Sequence, residues 1–138
     1  MPSKEYVAVF RRWNIIGMCM YWNVEVTDEF GRWYIDLIET VQDDIDSVVG
    51  LLEAKGAQLP FPHSSGIKGS RQTHMHELRV QSTGEPWRIF YVFDPRRTAI
   101  RLIGGNKVGE DQFYVTMIPI ADRLYDDYLI AIRREGLI

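Results

Sequence analysis

Three consecutive segments of strand-like composition, joined by short turns, constrain the fold more than any other feature. They cover residues 76–81, 87–93 and 99–104 and contain many β-branched and aromatic side chains. The connecting sequences, Ser-Thr-Gly-Glu-Pro and Asp-Pro-Arg-Arg, are typical of turns. Short connections of this kind join neighbouring strands that run in opposite directions. The pattern therefore predicts an antiparallel meander of three strands.

A strand and two helices are predicted before this meander. Residues 22–26 alternate between apolar and polar side chains, which favours a strand. Apolar residues then recur at steps of three and four, which predicts helices over about 28–38 and 41–55. Thr27 precedes acidic residues and is a suitable N-terminal cap, whereas Gly56 is a suitable end for the second helix.

One further helix is predicted after the meander, over about residues 112–135, with Pro119 as its start or as a kink. The order is therefore strand, two helices, three-strand meander and C-terminal helix. This order indicates an α+β domain with a small antiparallel sheet. We expect the helices to cover one face of that sheet.

The first 20 residues do not fit this order and are interpreted as an N-terminal extension of uncertain role, leaving 21–138 as the domain. Alternating apolar residues permit an extra strand there, and a natural start at Met18 or Met20 would make the segment an added strand or a translation artefact. The single cysteine, Cys19, cannot form an internal disulfide, which favours a cytoplasmic location.

Positive charge is concentrated in the predicted sheet. Residues 59–107 carry eight lysines and arginines against three acidic residues, a net charge of +5, whereas the whole chain carries −3. A basic surface of this kind suits a polyanion, because binding to phosphates releases counterions. The alternative is that these side chains only solvate the outer face of a sheet.

Metal and cofactor sites are not indicated. The three histidines and one cysteine lack the spacing of a structural zinc site. The chain also contains neither a phosphate-binding loop nor a GxGxxG motif. We therefore expect no cofactor.

Several short motifs, in order, resemble those of the RelE/HigB superfamily of bacterial type II toxins over about residues 22–130. The motifs are Ile67-Lys68-Gly69, Glu77-Leu78-Arg79-Val80, Trp87-Arg88-Ile89-Phe90-Tyr91, Ile103-Gly104-Gly105-Asn106-Lys107 and Phe113-Tyr114. The segment 118–125 is also similar to an actinobacterial HigB-like subgroup. The resemblance implies a RelE/ParE-like fold.

The resemblance also implies an activity. Such a toxin enters the ribosomal A site and cleaves mRNA there as an endoribonuclease. No metal is needed, because the RNA 2′-OH attacks the adjacent phosphate and the protein orients the backbone, moves protons and stabilises charge. The implied partner is a helix-turn-helix antitoxin of HigA-like type, and no membrane is implied.

Four residues are the catalytic candidates that the resemblance suggests. Arg88 would stabilise the charged phosphorane, since a guanidinium stays ionised and forks onto two phosphate oxygens. Its alternative role is an ion pair with Glu77 or Glu85. Lys107 would contact phosphate or move a proton, and Tyr114 would act as a base. His76 is a further acid or base candidate, because histidine titrates near neutrality.

Lys68, Arg71, Arg79 and Arg88 are the candidate RNA-binding residues. Some positions depart from the superfamily, since Met75 and Glu77 stand where some RelE toxins have lysines. Ser65 likewise stands where some HigB proteins have a histidine. The acid–base pair of either subgroup is therefore not reproduced.

Two other functions remain open on this sequence. A ParE-like inhibitor of DNA gyrase has the same fold without RNA cleavage, and fold alone does not separate the two. A catalytically inactive relative that still binds its antitoxin is the other alternative, which the missing lysines favour.

Overall fold

The structure, a computed structural model, describes residues 21–109 and 111–138. The interpretation of residues 1–20 therefore lies outside the described residues. The elements are β1 (Val24–Val26), α1 (Asp28–Ile35), α2 (Glu39–Lys55), a 3₁₀ turn (Gly56–Gln58), β2 (Ser64–Gly66), β3 (His76–Ser82), β4 (Glu85–Phe93), β5 (Ala99–Asn106) and α3 (Phe113–Arg134). The predicted α+β class is confirmed, and so is the predicted order of elements except for the additional strand β2.

The strands form one five-stranded sheet in the order β1-β5-β4-β3-β2. As predicted, β3, β4 and β5 form an antiparallel meander. The first strand pairs parallel to β5, so the sheet is mixed rather than wholly antiparallel. The short strand β2, which pairs antiparallel to β3, is not among the predicted strands, because it lies in a segment of prolines and small residues that is typical of a loop.

The helix ends are set partly by the residues that the sequence indicated. Thr27 caps α1, and its Oγ1 accepts a hydrogen bond of 3.0 Å from the amide of Phe30. The second helix begins at Glu39, earlier than predicted, with no side-chain cap. Gly56 follows its last residue with a φ of 57°, a conformation that glycine adopts without strain.

Helices cover both faces of the sheet, so the expectation of one covered face is wrong. Helices α1 and α2 pack on the face that presents Leu78, Val80 and Ile89. Helix α3 packs on the opposite face, against Phe90 and Val92. The reason is visible in β4, where residues 89–92 are all buried, and such a continuous apolar run needs cover on both sides.

Pro119 lies inside α3 and does not begin it. In the described part of the chain no helix has the length and apolar character needed to cross a bilayer.

Candidate functional site

Arg88 is positioned by the alternation of β4. Its neighbour Trp87 packs with the core under α1 and α2, so Arg88 lies on the face that α3 covers. In the register of the sheet it stands opposite Arg79 on one side and Gly105 on the other. The residue is only 5% exposed, so its charge lies beneath the surface and not on it.

Glu77 is the centre of the polar groups around Arg88. It is 4% exposed, and its Oε1 accepts a hydrogen bond of 2.7 Å from the hydroxyl of Tyr114. Its Oε2 accepts from Ser65 Oγ at 2.8 Å and from Arg79 Nη1 at 3.3 Å. The Nε of Arg88 lies 3.7 Å from Oε1. Sequence reasoning treated Glu77 only as a departure from the family pattern and as an ion-pair partner.

Lys107 completes this group, with its Nζ 5.7 Å from the centre of the Tyr114 ring. We call Glu77, Arg79, Arg88, Lys107 and Tyr114 the cationic cluster. It contains one carboxylate and three cations, so its formal charge is positive. Excess positive charge held beside a hydroxyl group suits the binding of a phosphate.

The pKa of Tyr114 is raised above its ordinary value near 10, first by burial and then by its hydrogen bond to Glu77, while Arg88 acts in the opposite direction. At physiological pH the phenol therefore keeps its proton and donates it to Glu77. This arrangement does not provide a free phenolate, so Tyr114 can accept a proton only while passing its own to Glu77.

The guanidinium of Arg88 is incompletely bonded. Its Nη1 donates to the carbonyl of Trp87 at 3.0 Å. Its Nε is buried and has no hydrogen-bond partner among the described residues. A buried cationic donor without a hydrogen-bond partner is uncommon, and here the nearest acceptor is the Glu77 carboxylate, 3.7 Å away.

The predicted RNA-binding residues Lys68 and Arg71 lie on the loop before β3, and both are exposed. Together with α3 this loop forms an open cleft of about 540 Å³, which we call the basic cleft. Its lining residues are Lys68, Gly69, Arg71, Tyr114, Val115, Ile118, Pro119 and Asp122. Tyr114 thus belongs both to the cationic cluster and to the basic cleft.

His76 is not brought into this site. It pairs with Tyr91 in the sheet and stacks on that ring with centroids 5.7 Å apart, on the face covered by α1 and α2. Its Nδ1 lies 2.8 Å from the carbonyl oxygen of His74. Because side chains alternate along a strand, His76 and the neighbouring Glu77 point to opposite faces.

The eight cations of residues 59–107 do not form a single surface, which corrects the expectation of one basic patch. Arg101 is fully buried on the other face, with its guanidinium 4.8 Å from the centre of the Phe30 ring. Arg71 is paired with acidic residues of α3, its Nη2 lying 2.8 Å from Asp126 Oδ2. The net charge of residues 59–107 therefore overstates the positive charge that is available to a ligand at the surface.

A second group of the same residue types lies near the other end of α3. Arg96 donates to Asp94 Oδ2 at 2.7 Å from Nε and to Glu25 Oε1 at 3.1 Å from Nη2. The hydroxyl of Tyr128 also donates to Glu25. We call Glu25, Asp94, Arg96 and Tyr128 the anchor cluster, because it fastens α3 to β1 and to the turn before β5. Burial and then the bond to Glu25 raise the pKa of Tyr128.

The described residues contain no group of three or more histidine, cysteine or acidic side chains placed to hold a metal ion.

Comparison with known proteins identifies the family. Residues 32–126 match the family described as "Phage derived protein Gp49-like (DUF891)". The chain is 31% identical over 130 residues to a protein of Mycobacterium tuberculosis named "Putative toxin HigB2", covering 93% of this chain and 64% of that protein. It is 35% identical over 99 residues to "Putative toxin HigB3" of the same organism, covering 71% of this chain and 85% of that protein.

The chain thus spans about 64% of the length of the first of these relatives. No solved structure is significantly similar to it. The matched residues 32–126 contain the whole of the cationic cluster and of the basic cleft. The chain therefore belongs to the Gp49-like family, within the RelE/HigB superfamily of toxins.

Proposed function

We propose that this protein is the toxin of a type II toxin–antitoxin system and acts as a ribosome-dependent mRNA endoribonuclease. The names of its relatives support the toxin role. The observation that carries the enzymatic role is the cationic cluster, in which a buried arginine with an unpartnered donor lies beside a hydroxyl hydrogen-bonded to a carboxylate.

The reaction would cleave the RNA backbone at a phosphodiester. The ribose 2′-OH attacks the adjacent phosphorus, the bond to the 5′ oxygen of the next nucleotide breaks, and a 2′,3′-cyclic phosphate remains. Arg88 stabilises the negative charge that develops on the phosphorane oxygens. Arg79, partly exposed beside it, holds the backbone.

The protons follow a route that the cluster provides. Tyr114 takes the proton of the 2′-OH while its own proton passes along the 2.7 Å hydrogen bond to Glu77. Lys107, above the Tyr114 ring, gives a proton to the departing 5′ oxygen. One proton is accepted and one is donated, so this route needs no metal ion. His76 has no part in it, because it lies on the other face of the sheet.

The partners follow from the same proposal. We expect a helix-turn-helix antitoxin of HigA-like type, a ribosome carrying mRNA in its A site, and a cytoplasmic location. Lys68, Arg71 and Arg79 would contact the RNA backbone around the cleaved linkage.

The test is to induce the wild type, Arg88→Ala and Arg123→Ala without antitoxin and to map mRNA 5′ ends. Arg123 is a matched control, because it is an exposed arginine of α3 that pairs only weakly, at 3.9 Å, with Asp127. We expect the wild type and Arg123→Ala to arrest growth and to produce new cuts in translated mRNA, whereas Arg88→Ala produces none.

Other results would support the alternatives. Growth arrest with DNA breaks and no RNA cuts would contradict RNA cleavage in favour of gyrase inhibition. Soluble protein without growth arrest would indicate a binding protein that keeps the fold.

A further inference from the structure

Two consecutive glycines, Gly104 and Gly105, lie near the end of β5, and an aromatic ring packs against each of them. A Cβ atom at Gly105 would lie 2.9 Å from Cε1 and 3.4 Å from Cζ of Phe113. A Cβ atom at Gly104 would lie 2.4 Å from Cη2 of Trp33. The rings approach from opposite faces of the sheet, Phe113 from the face under α3 and Trp33 from the face under α1. Each glycine therefore leaves the space that one ring occupies.

The ring of Phe113 connects Gly105 to Tyr114. Phe113 is the first residue of α3 and is buried. Its ring stacks on Phe90 of β4 with centroids 6.0 Å apart, and it meets the ring of Tyr114 edge-on at 5.3 Å. Phe90 is fully buried and also contacts the Tyr114 ring edge-on, at 6.2 Å. Tyr114 thus packs against two rings, one of which lies directly on Gly105.

The hydroxyl of Tyr114 is sensitive to small displacements of this packing. Non-bonded carbon atoms lie about 3.5–4.0 Å apart, so a methyl group at Gly105 would move the Phe113 ring by about 1 Å. The hydroxyl of Tyr114, on the next residue, lies 2.7 Å from Glu77 Oε1. Hydrogen bonds of this kind extend to only about 3.0 Å, so a movement of that size would weaken or break the bond.

We propose that Gly105 is a positioning residue of the cleavage reaction. Its lack of a side chain lets Phe113 pack directly on the sheet, and Phe113 in turn holds the hydroxyl of Tyr114 against Glu77. Gly105 acts through Phe113 and does not contact the reacting atoms. This inference rests on the proposed function, because it depends on the proton transfer assigned there to Tyr114.

The test compares Gly105→Ala with the double variant Gly105→Ala/Phe113→Leu. Leucine lacks the Cε1 and Cζ atoms that the added methyl group would meet, and the remaining close atom, Met117 Cε, lies at an ordinary contact distance of 3.5 Å. Gly104→Ala is the matched control, because it adds the same methyl group to the next residue, at a closer contact, on the face away from Tyr114.

Three quantities are measured on the full chain. The first is single-turnover cleavage of ribosome-bound mRNA, expressed per folded molecule. The second is binding of 2′-O-methyl RNA, which has no free 2′-OH and cannot be cleaved. The third is the pH titration of the Tyr114 phenol by NMR with isotopically labelled tyrosine. The chain has seven tyrosines, so Tyr114→Phe identifies the signal.

We expect Gly105→Ala to cleave about 10²-fold more slowly than the wild type and to bind 2′-O-methyl RNA equally well. Its Tyr114 should titrate at lower pH, because the bond to Glu77 that raises the pKa of this phenol is lost. The double variant should recover about tenfold in rate, to the level of Phe113→Leu alone.

Gly104→Ala should lower the midpoint of thermal unfolding, because overpacking destabilises a core, but it should cleave like the wild type. If Gly105→Ala does not fold, Phe113→Leu serves as the second variant. It removes the same support from Tyr114, so we expect about tenfold slower cleavage with unchanged RNA binding.

The inference is wrong if Gly105→Ala cleaves and titrates like the wild type, or if Gly104→Ala slows cleavage equally. It is also wrong if Gly105→Ala binds RNA weakly and Phe113→Leu restores nothing, since the methyl group would then block the RNA directly. In each of these cases the wild type still cleaves and the proposed function stands. If the wild type cleaves no ribosome-bound mRNA, the proposed function fails and the catalytic role of Gly105 fails with it.

Discussion

Two groups of the same residue types lie beneath the two ends of α3, and they differ in the balance of charge. In the anchor cluster, two carboxylates, Glu25 and Asp94, surround the single Arg96. In the cationic cluster, the single carboxylate of Glu77 is surrounded by two arginines and a lysine. Each cluster receives one tyrosine from the helix, Tyr128 in the first and Tyr114 in the second.

The difference shows how clusters of the same residue types can either stabilise a fold or bind a ligand. In the anchor cluster the guanidinium donates to both carboxylates, so its groups satisfy one another. In the cationic cluster, three cations share one carboxylate, and the Nε of Arg88 has no hydrogen-bond partner in the described chain. We infer that the first cluster provides stability and the second provides chemistry.

The largest effect is expected from Arg88→Lys. A lysine keeps the charge but loses the planar fork, so we expect single-turnover cleavage of ribosome-bound mRNA to fall about 10²–10³-fold. The midpoint of thermal unfolding, measured by circular dichroism, should change little. Unimpaired cleavage by a folded Arg88→Lys protein would refute the assignment of chemistry to this cluster.

A large effect of a different kind is expected from Arg96→Ala. Removing the arginine leaves Glu25 and Asp94 near each other without a cation, which should lower the free energy of unfolding by about 3 kcal/mol. Urea unfolding measures this loss, and the exposed Arg123→Ala should cost about 1 kcal/mol or less. The cleavage rate per folded molecule should not change, and a fall like that of Arg88→Lys would break the distinction between the clusters.

Removal of each tyrosine hydroxyl in turn should distinguish the two clusters by its effect on the cleavage rate. Tyr114→Phe removes the hydroxyl that accepts the 2′-OH proton in the proposed mechanism, so we expect cleavage to fall about 10²-fold with unchanged binding of 2′-O-methyl RNA. Tyr128→Phe is the matched control and should cleave like the wild type. Equal rates for the two variants would contradict the proton route.

The smallest effect concerns alkaline stability and the anchor cluster. The pKa of Tyr128 is raised in the folded protein, so its stabilising contribution is complete below the unfolded value near 10. That contribution is lost as the pH rises through the folded pKa. The wild type should therefore lose stability more steeply than Tyr128→Phe above about pH 10, by at most about 1.4 kcal/mol per pH unit.

Urea unfolding at pH 9 to 11 measures the slope, with the exposed Tyr21→Phe as control. Identical slopes for the wild type and Tyr128→Phe would show that Tyr128 contributes nothing to alkaline stability.

Much of the fold could be predicted, because alternation and turn residues are local properties of the chain. The prediction that the helices cover one face of the sheet was wrong, although the apolar run of residues 89–92 in β4 indicates cover on both faces. Strand β2 was not predicted, because it is stabilised by pairing with β3 and has no apolar face that the sequence would show.

The site was predictable only in part, for a physical reason. Strand alternation correctly predicts that Arg88 and Trp87 lie on opposite faces of the sheet, and the resemblance suggests Tyr114 and Arg79 as site residues. Glu77 was undervalued, because a carboxylate within a basic segment shows its importance only when its partners come from β2, β3 and α3. The anchor cluster joins residues 103 positions apart, which no local pattern connects.

The most direct test of the proposed proton route is a double-mutant cycle between Glu77 and Tyr114 in single-turnover cleavage of ribosome-bound mRNA. If the two residues form one proton route, Glu77→Gln and Tyr114→Phe should each lower the rate about 10²-fold. The double variant should then be no slower than the slower single variant, because residues that act as a unit are not additive. A double variant slower by the product of the two losses, about 10⁴-fold, would show independent roles and contradict the account.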